Sequence, residues 1–313
     1  MTSRNLIFLL SLPRSGSTWV QRNIMKRKNV KTLPETWLFL SLASAFKPSS
    51  MLTEYNALLQ NKAFLELEQR AVDKKIILNQ VLKSVAEEIC EQLNLEKKEF
   101  FLEKTPRNLL ILDDLIEAFP SATFINLFRD PADIMISMAQ TWGGGYTTLF
   151  RYEVDFKVGL PAMLKNASHP NAINIYYEDL LINDDRLNNV LDFLGNPNNL
   201  RSADDIYEAT KSSFIGDQKY KKKNINLNKI TWYTKYRMKK MLREIPETFW
   251  INTKYDKLNS YQKIKDCKPY FRPVRDVISI IVELLYRANL HGIIFLFHKD
   301  RVRNLGKFRF TLE

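Results

Sequence analysis

The segment LIFLLSLPRSGSTWVQRNIMKRK, residues 6–28, narrows the folds open to this chain more than any other stretch. Leu6 to Leu12 is an unbroken apolar run apart from Ser11, with the length and bulk of a strand buried on both faces. Pro13 stops it, small and hydroxylated residues follow, and residues 16–28 carry a helical pattern. Strand, tight turn and helix in that order aim several backbone N–H groups and the positive end of the helix at one point, which makes a cradle for an anion. Gly16 allows close backbone approach, Ser15, Ser17 and Thr18 add hydroxyl donors, and Arg14 adds a planar cation suited to phosphate or sulfate oxygens. A tight turn without a ligand is the plain alternative. The nucleotide-binding pattern G-x-x-x-x-G-K-[ST] is related, but its Gly–Lys pair is absent here.

The rest of the chain alternates in the same manner. EFFLE (99–103), ATFINLF (122–128) and AINIYY (172–177) read as strands, and 51–98, 108–119, 131–142 and 178–195 as helical. This predicts an α/β protein with a parallel sheet. From about residue 211 the sequence turns basic and loses apolar periodicity, as a loop does. Nothing repeats at a solenoid period. The expectation is one domain over 1–313, with its motifs in about 6–232 and a basic, largely helical region at 233–313.

Net charge is +12 with a pI near 9.5, which calls for an anionic partner without naming it. Two cysteines and three histidines stand in no metal-like or redox-like spacing, so no metal centre is expected and a reducing compartment is the default. Arg4 followed by an apolar run imitates a secretory signal, but no small-residue cleavage site follows, and the run reads as the first strand. No uncharged apolar stretch is long enough to cross a bilayer. A cytoplasmic protein is expected, with peripheral attachment at a membrane surface as the alternative.

LPRSGSTW (12–19) resembles the 5′-phosphosulfate loop of sulfotransferases that use 3′-phosphoadenosine-5′-phosphosulfate (PAPS). Three further segments resemble that family in the family's order. In FINLFRDPADIMISM (124–138), Arg129 and Ser137 match the pair that clasps the cofactor's 3′-phosphate; NIYYEDLLIND matches a Tyr-Glu-Asp-Leu segment whose tyrosine, here Tyr177, approaches the adenine. SFIGDQKYKKKNIN resembles a late Gly-Asp-x-Lys loop over the cofactor, with Gln218 in place of a frequent Pro and Lys219 aimed at the phosphates. The lysine run at 221–223 reads equally as solvated charge. The resemblance implies a P-loop-kinase-like three-layer sandwich with helical insertions, and a PAPS site made of Arg14, Ser15, Gly16, Ser17, Thr18, Trp19, Arg129, Ser137, Tyr177 and Lys219.

Sulfuryl transfer is close kin to phosphoryl transfer: in-line attack, a loose transition state, and catalysis by positioning and charge. The small-molecule branch of the family takes the acceptor proton with a histidine in Lys-x-His, and no histidine precedes His169 here. Carbohydrate and tyrosylprotein sulfotransferases use a glutamate after the first helix. KTLPETWLFL (31–40) supplies Glu35 in a Pro-Glu-x-Trp setting, next to apolar groups that partly desolvate it. A helix-start glutamate is the alternative. FLEKTPRN (101–108) resembles the Glu-Lys-Ser/Thr-Pro segment of glycan sulfotransferases, whose lysine approaches the bridging oxygen. Glu35, Lys104 and Arg14 are thus the catalytic candidates, with no metal, and Arg107 faces either an anionic acceptor or solvent.

The glutamate-type site points, by resemblance, to a hydroxyl on a carbohydrate or glycolipid; a small molecule, a lipid or a protein tyrosine are the alternatives. Trp37, Trp142 and Tyr146 are aromatic candidates for an acceptor cleft. A P-loop nucleotide kinase is disfavoured by the absent Gly–Lys pair, and a nucleic-acid binder by the lack of any binding module. Apolar runs mixed with Arg, Lys and Phe at 276–310 read as a helix docked on the core or, alternatively, as shallow membrane attachment.

Overall fold

The computed structural model describes residues 5–26, 29–46, 73–142, 149–182, 187, 190, 192 and 230–287. These fall into two compact units, one from residues 1–130, 154–221 and 245–254, the other from 131–153, 222–244 and 255–313.

The first unit is built on five parallel strands: β1 (Leu6–Ser11), β2 (Val30–Thr32), β3 (Phe100–Glu103), β4 (Thr123–Phe128) and β5 (Ala172–Tyr176). Their order across the sheet is β2-β3-β1-β4-β5, so the strand that feeds the turn at 12–16 lies in the middle. Parallel strands cannot be joined by hairpins and need crossovers. Those present are α1 (Ser17–Ile24), α2 (Leu38–Ala45), α3 (Lys74–Gln92), the 3₁₀ turn Pro106–Ile111 running into α4 (Leu112–Ala118), and α6 (Leu160–Asn166); the unit also holds α7 (Tyr177–Ile182) and α9 (Glu247–Asn252). The second unit contains α5 (Pro131–Trp142), α8 (Trp232–Arg243), α10 (Lys257–Asp266) and α11 (Pro273–Arg287).

Alternation along β1 divides the core into two faces. Ile7 and Leu9 join Leu102, Ile125, Leu127 and Ile175 beneath Val20 and Ile24 of α1. Phe8 points the other way, 5.8 Å from Phe39 of α2, 5.6 Å from Phe119 after α4, and 5.7 Å from its register partner Phe124. Helix–sheet–helix layering follows, as expected for a sheet buried on both faces. Each aromatic contact adds about 0.5–1.5 kcal/mol beyond the area it buries.

Several boundaries differ from the sequence expectation, each for a local reason. The helix expected to 98 ends at Gln92, where Asn94 adopts φ 48 and closes it. The helix expected from 108 opens as a 3₁₀ turn led by Pro106. Tyr177, read as the end of a strand, is the first residue of α7. β2 was not anticipated, because three residues carry too little alternation to be seen.

Candidate active site

The turn between β1 and α1 is held in an unusual backbone shape. Arg14 has φ 72 and Gly16, the N-cap of α1, has φ 95; Ser15 N–H donates to Leu12 O at 3.2 Å. Left-handed residues alternating with right-handed ones turn successive amides inward, and a non-glycine residue held there stores about 1–3 kcal/mol of strain. The amides of Ser17 and Thr18, first in the helix, precede any intrahelical acceptor. Glycine is required at 16 for a second reason: a Cβ there would lie 2.3 Å from Cε2 of Tyr177.

Tyr177 ties the turn to the end of β4. Its ring backs Gly16 on one side, and the guanidinium of Arg129 stacks over it with Cζ 4.3 Å from the centroid. Arg129 Nη1 donates to Arg14 O at 2.9 Å. Arg14 is pushed below its ordinary pKa by burial first and by the Arg129 charge second, with Glu35 offsetting them. Two arginines are therefore held close together, 115 residues apart in sequence. Nearby, Ser15 Oγ and Arg129 Nε are buried with no hydrogen-bond partner among the described residues. Buried polar atoms left unsatisfied are uncommon, and like charges held together are costly; an anion relieves both.

The second half of the site joins β3 to the segment after β2. Lys104 Nζ donates to Glu35 Oε1 at 2.8 Å, with the two side chains only 4 % and 11 % exposed. The loop carrying Glu35 is secured at both ends. On the near side the buried Gln21 of α1 donates to Thr32 Oγ1 at 2.9 Å and to Leu33 O at 3.3 Å. On the far side the buried Glu103 accepts from Thr105 Oγ1 at 2.6 Å, from Thr36 Oγ1 at 3.2 Å and from Asn108 Nδ2 at 3.3 Å. Thr105 Oγ1 in turn accepts the Trp37 N–H at 3.3 Å, and Trp37 takes φ 56 to reverse the chain into α2. Burial pushes the Glu103 carboxyl up to about 6, opposed by its three hydrogen-bond donors and by Lys104.

The predicted residues distribute as follows. Arg14, Ser15, Gly16, Ser17, Arg129 and Tyr177 gather at the turn, while Glu35 and Lys104 form one ion pair. Thr18 is half-buried on the first turn of α1, and Trp19 packs against the core cluster beneath it. Ser137 is half-buried on α5, in the second unit. Lys219 and Tyr146 lie outside the described residues. Arg107, read as facing an acceptor or solvent, is bidentate to the buried Asp155 at 3.1 and 2.9 Å. Sequence reasoning gave no role to Gln21, Thr36, Glu103, Thr105 or Asn108. The one visible signal was an acid next to a lysine at a strand's end; the others are ordinary polar residues whose purpose appears only when the loop is folded.

The Sulfotransferase family model matches residues 6–199, well over half of the 313 residues. Nodulation protein NoeE of Sinorhizobium fredii (strain NBRC 101917 / NGR234) is 33 % identical over 138 residues, which take in 44 % of this chain and 32 % of that protein. The chain thus spans about a third of the length of this curated relative. Among solved structures, the sulfotransferase domain of the Synechococcus PCC 7002 olefin synthase is 19 % identical at a TM-score of 0.44, covering 83 % of this chain and 93 % of its own. Mouse sulfotransferase SULT7A1, complexed with PAP, is 13 % identical at a TM-score of 0.41, covering 81 % and 89 % respectively.

Proposed function

This chain belongs to the sulfotransferase family, and on that premise we propose that it moves a sulfuryl group from PAPS to a hydroxyl of a carbohydrate or glycolipid acceptor. The observation that carries the reading is the close pair Arg14 and Arg129 beside a strained, amide-lined turn, with Ser15 Oγ and Arg129 Nε left to satisfy. A bisphosphorylated nucleotide supplies the negative charge and acceptor oxygens that such a cradle lacks. PAPS, when bound, supplies the activated sulfuryl group.

The chain's own residues then divide the work. The turn from Arg14 to Thr18, with Trp19 behind it, would hold the 5′ end. Arg129 would hold the 3′-phosphate, with Tyr177 keeping its guanidinium flat against the turn; Ser137 and Lys219 are assigned to the phosphates by the family resemblance alone. Glu35 would take the acceptor proton, and Lys104, ion-paired to it, would supply positive charge for the sulfuryl group together with Arg14. The loop between β2 and α2 excludes water from this pair. A glutamate base and the lack of a histidine before His169 support a sugar hydroxyl over a phenol.

The test is a labelled-PAPS assay of the full chain against glycan, lipid and phenol pools, with thermal melts in adenosine 3′,5′-bisphosphate alongside. Transfer to the glycan or glycolipid pool and a rise in melting temperature with the bisphosphate are expected. No stabilisation by that nucleotide and no transfer to any pool would end the proposal; transfer to phenols alone would overturn the acceptor class.

A further inference from the structure

Helix α11 is turned inside out relative to the usual surface helix. Inward lie Ser279, Val282 and Glu283: Val282 packs with Phe150, and Glu283 meets Arg237, Arg287 and the Tyr233 hydroxyl. On the opposite side Val274, Val277, Ile278, Ile280, Ile281 and Leu284 are 40–73 % exposed. At 3.6 residues per turn these six positions fall within an arc of about 160°. The inward groups are ion-paired inside the unit, so the helix cannot roll over to hide its apolar side without stripping those charges. A continuous apolar arc of this kind on a folded surface marks a contact site.

The surroundings state what kind. Phe271 and Tyr270 are exposed just before the helix, and the guanidinium of Arg272 lies over the Tyr270 ring, 4.9 Å from its centroid. Tyr270 N–H donates to Ile230 O at 2.8 Å, which brings the exposed Trp232 to the same end. Lys268 and Arg272 are exposed, and Arg275 is half-buried on the next turn. Aromatic rings with a polar edge and basic side chains around an apolar stripe are the chemistry of the bilayer interface.

We infer that this face of the second unit seats on an anionic phospholipid surface, with α11 lying in the membrane plane. With 15 residues the helix is shorter than the ~20 needed to cross the hydrocarbon, so it rests on the bilayer rather than spanning it. Self-association through the same face is opposed by the +12 charge, which favours a negative partner over a second copy.

Flotation of the full-length protein with vesicles tests this. The wild type floats with phosphatidylcholine–phosphatidylglycerol vesicles, floats poorly with phosphatidylcholine alone, and is released by high salt. Val277→Ser/Ile281→Ser/Leu284→Ser lowers partitioning at least about tenfold. Lys268→Glu/Arg272→Glu removes the preference for phosphatidylglycerol, and this pair decides the matter should the triple variant melt early. Failure of the wild type to float would overturn the inference, as would equal flotation of folded variants. So would a dimer in light scattering that the triple variant makes monomeric, with no vesicle binding.

Discussion

Two pairs of arginines lie close together in this protein, and the fold treats them in opposite ways. In the second unit Arg237 and Arg287 share two glutamates: Arg237 pairs with Glu153 and with Glu283 at 3.3 Å, and Arg287 with the same two acids at 2.9 and 2.7 Å. Burial and the Arg287 charge lower Arg237, and Glu283 pulls it back. In the first unit Arg129 instead bonds a backbone carbonyl of Arg14 and stacks on the uncharged ring of Tyr177. Cations matched by acids within the fold support the fold. A cation set on a carbonyl and a ring keeps its charge for a ligand.

The largest expected effect concerns chemistry. Glu35→Gln should lower sulfuryl transfer by about 10²–10⁴-fold while leaving calorimetric affinity for adenosine 3′,5′-bisphosphate within reach of wild type, since a base is removed but the cradle is not. Turnover near the wild-type rate would remove Glu35 from that role.

Next comes the contrast itself. Arg237→Met removes the buried partner of Glu153 and Glu283 and leaves both acids to the half-exposed Arg287, which should cost about 3 kcal/mol of folding stability in denaturant titrations. Arg129→Met should cost about 1 kcal/mol or less, because the lost bond to Arg14 is offset by relief of like-charge repulsion, yet it should abolish the thermal shift with the bisphosphate. Equal destabilisation by the two would break the comparison.

Gly16→Ala should lose about 3 kcal/mol together with nucleotide binding, since the new methyl meets φ 95 and the Tyr177 ring at once. Adding Tyr177→Ala should restore part of the stability and none of the binding, which a double-mutant cycle in urea and by calorimetry would separate.

The smallest effect is pH-dependent. Folding raises Glu103 from 4.5 to about 6, so its protonated form is favoured in the native state. The corresponding stability, about 2 kcal/mol, is fully present below pH 4.5 and is lost as pH rises through about 6. Glu103→Gln removes that term, so the stability difference between variant and wild type should change by this amount across the window. A parallel pair of curves would show that Glu103 does not titrate there.

What could be read from the chain follows distance in sequence. The apolar runs of β1, β4 and β5 and the small-residue turn after β1 are local patterns, and the order of motifs was enough to name the family. The short edge strand β2 left no such pattern, and neither did the reversal at Trp37, which depends on Thr105 and Glu103 from another strand. Arg107 shows the converse: three residues after Lys104 in sequence, it faces neither acceptor nor solvent but is bound to Asp155, 48 residues on.

By itself, then, the sequence determined the parallel α/β layering, the family and the residues on offer for an anion, because strand burial and turn chemistry are set by neighbours along the chain. Only the tertiary structure decided that Lys104 grips Glu35 across 69 positions, that Arg129 reaches Arg14 over Tyr177, and that α11 buries Glu283 and exposes an apolar stripe. Those outcomes depend on where strands end and which charges are desolvated together. Electrostatic and steric energies fall with distance in space, and a linear chain does not state that distance.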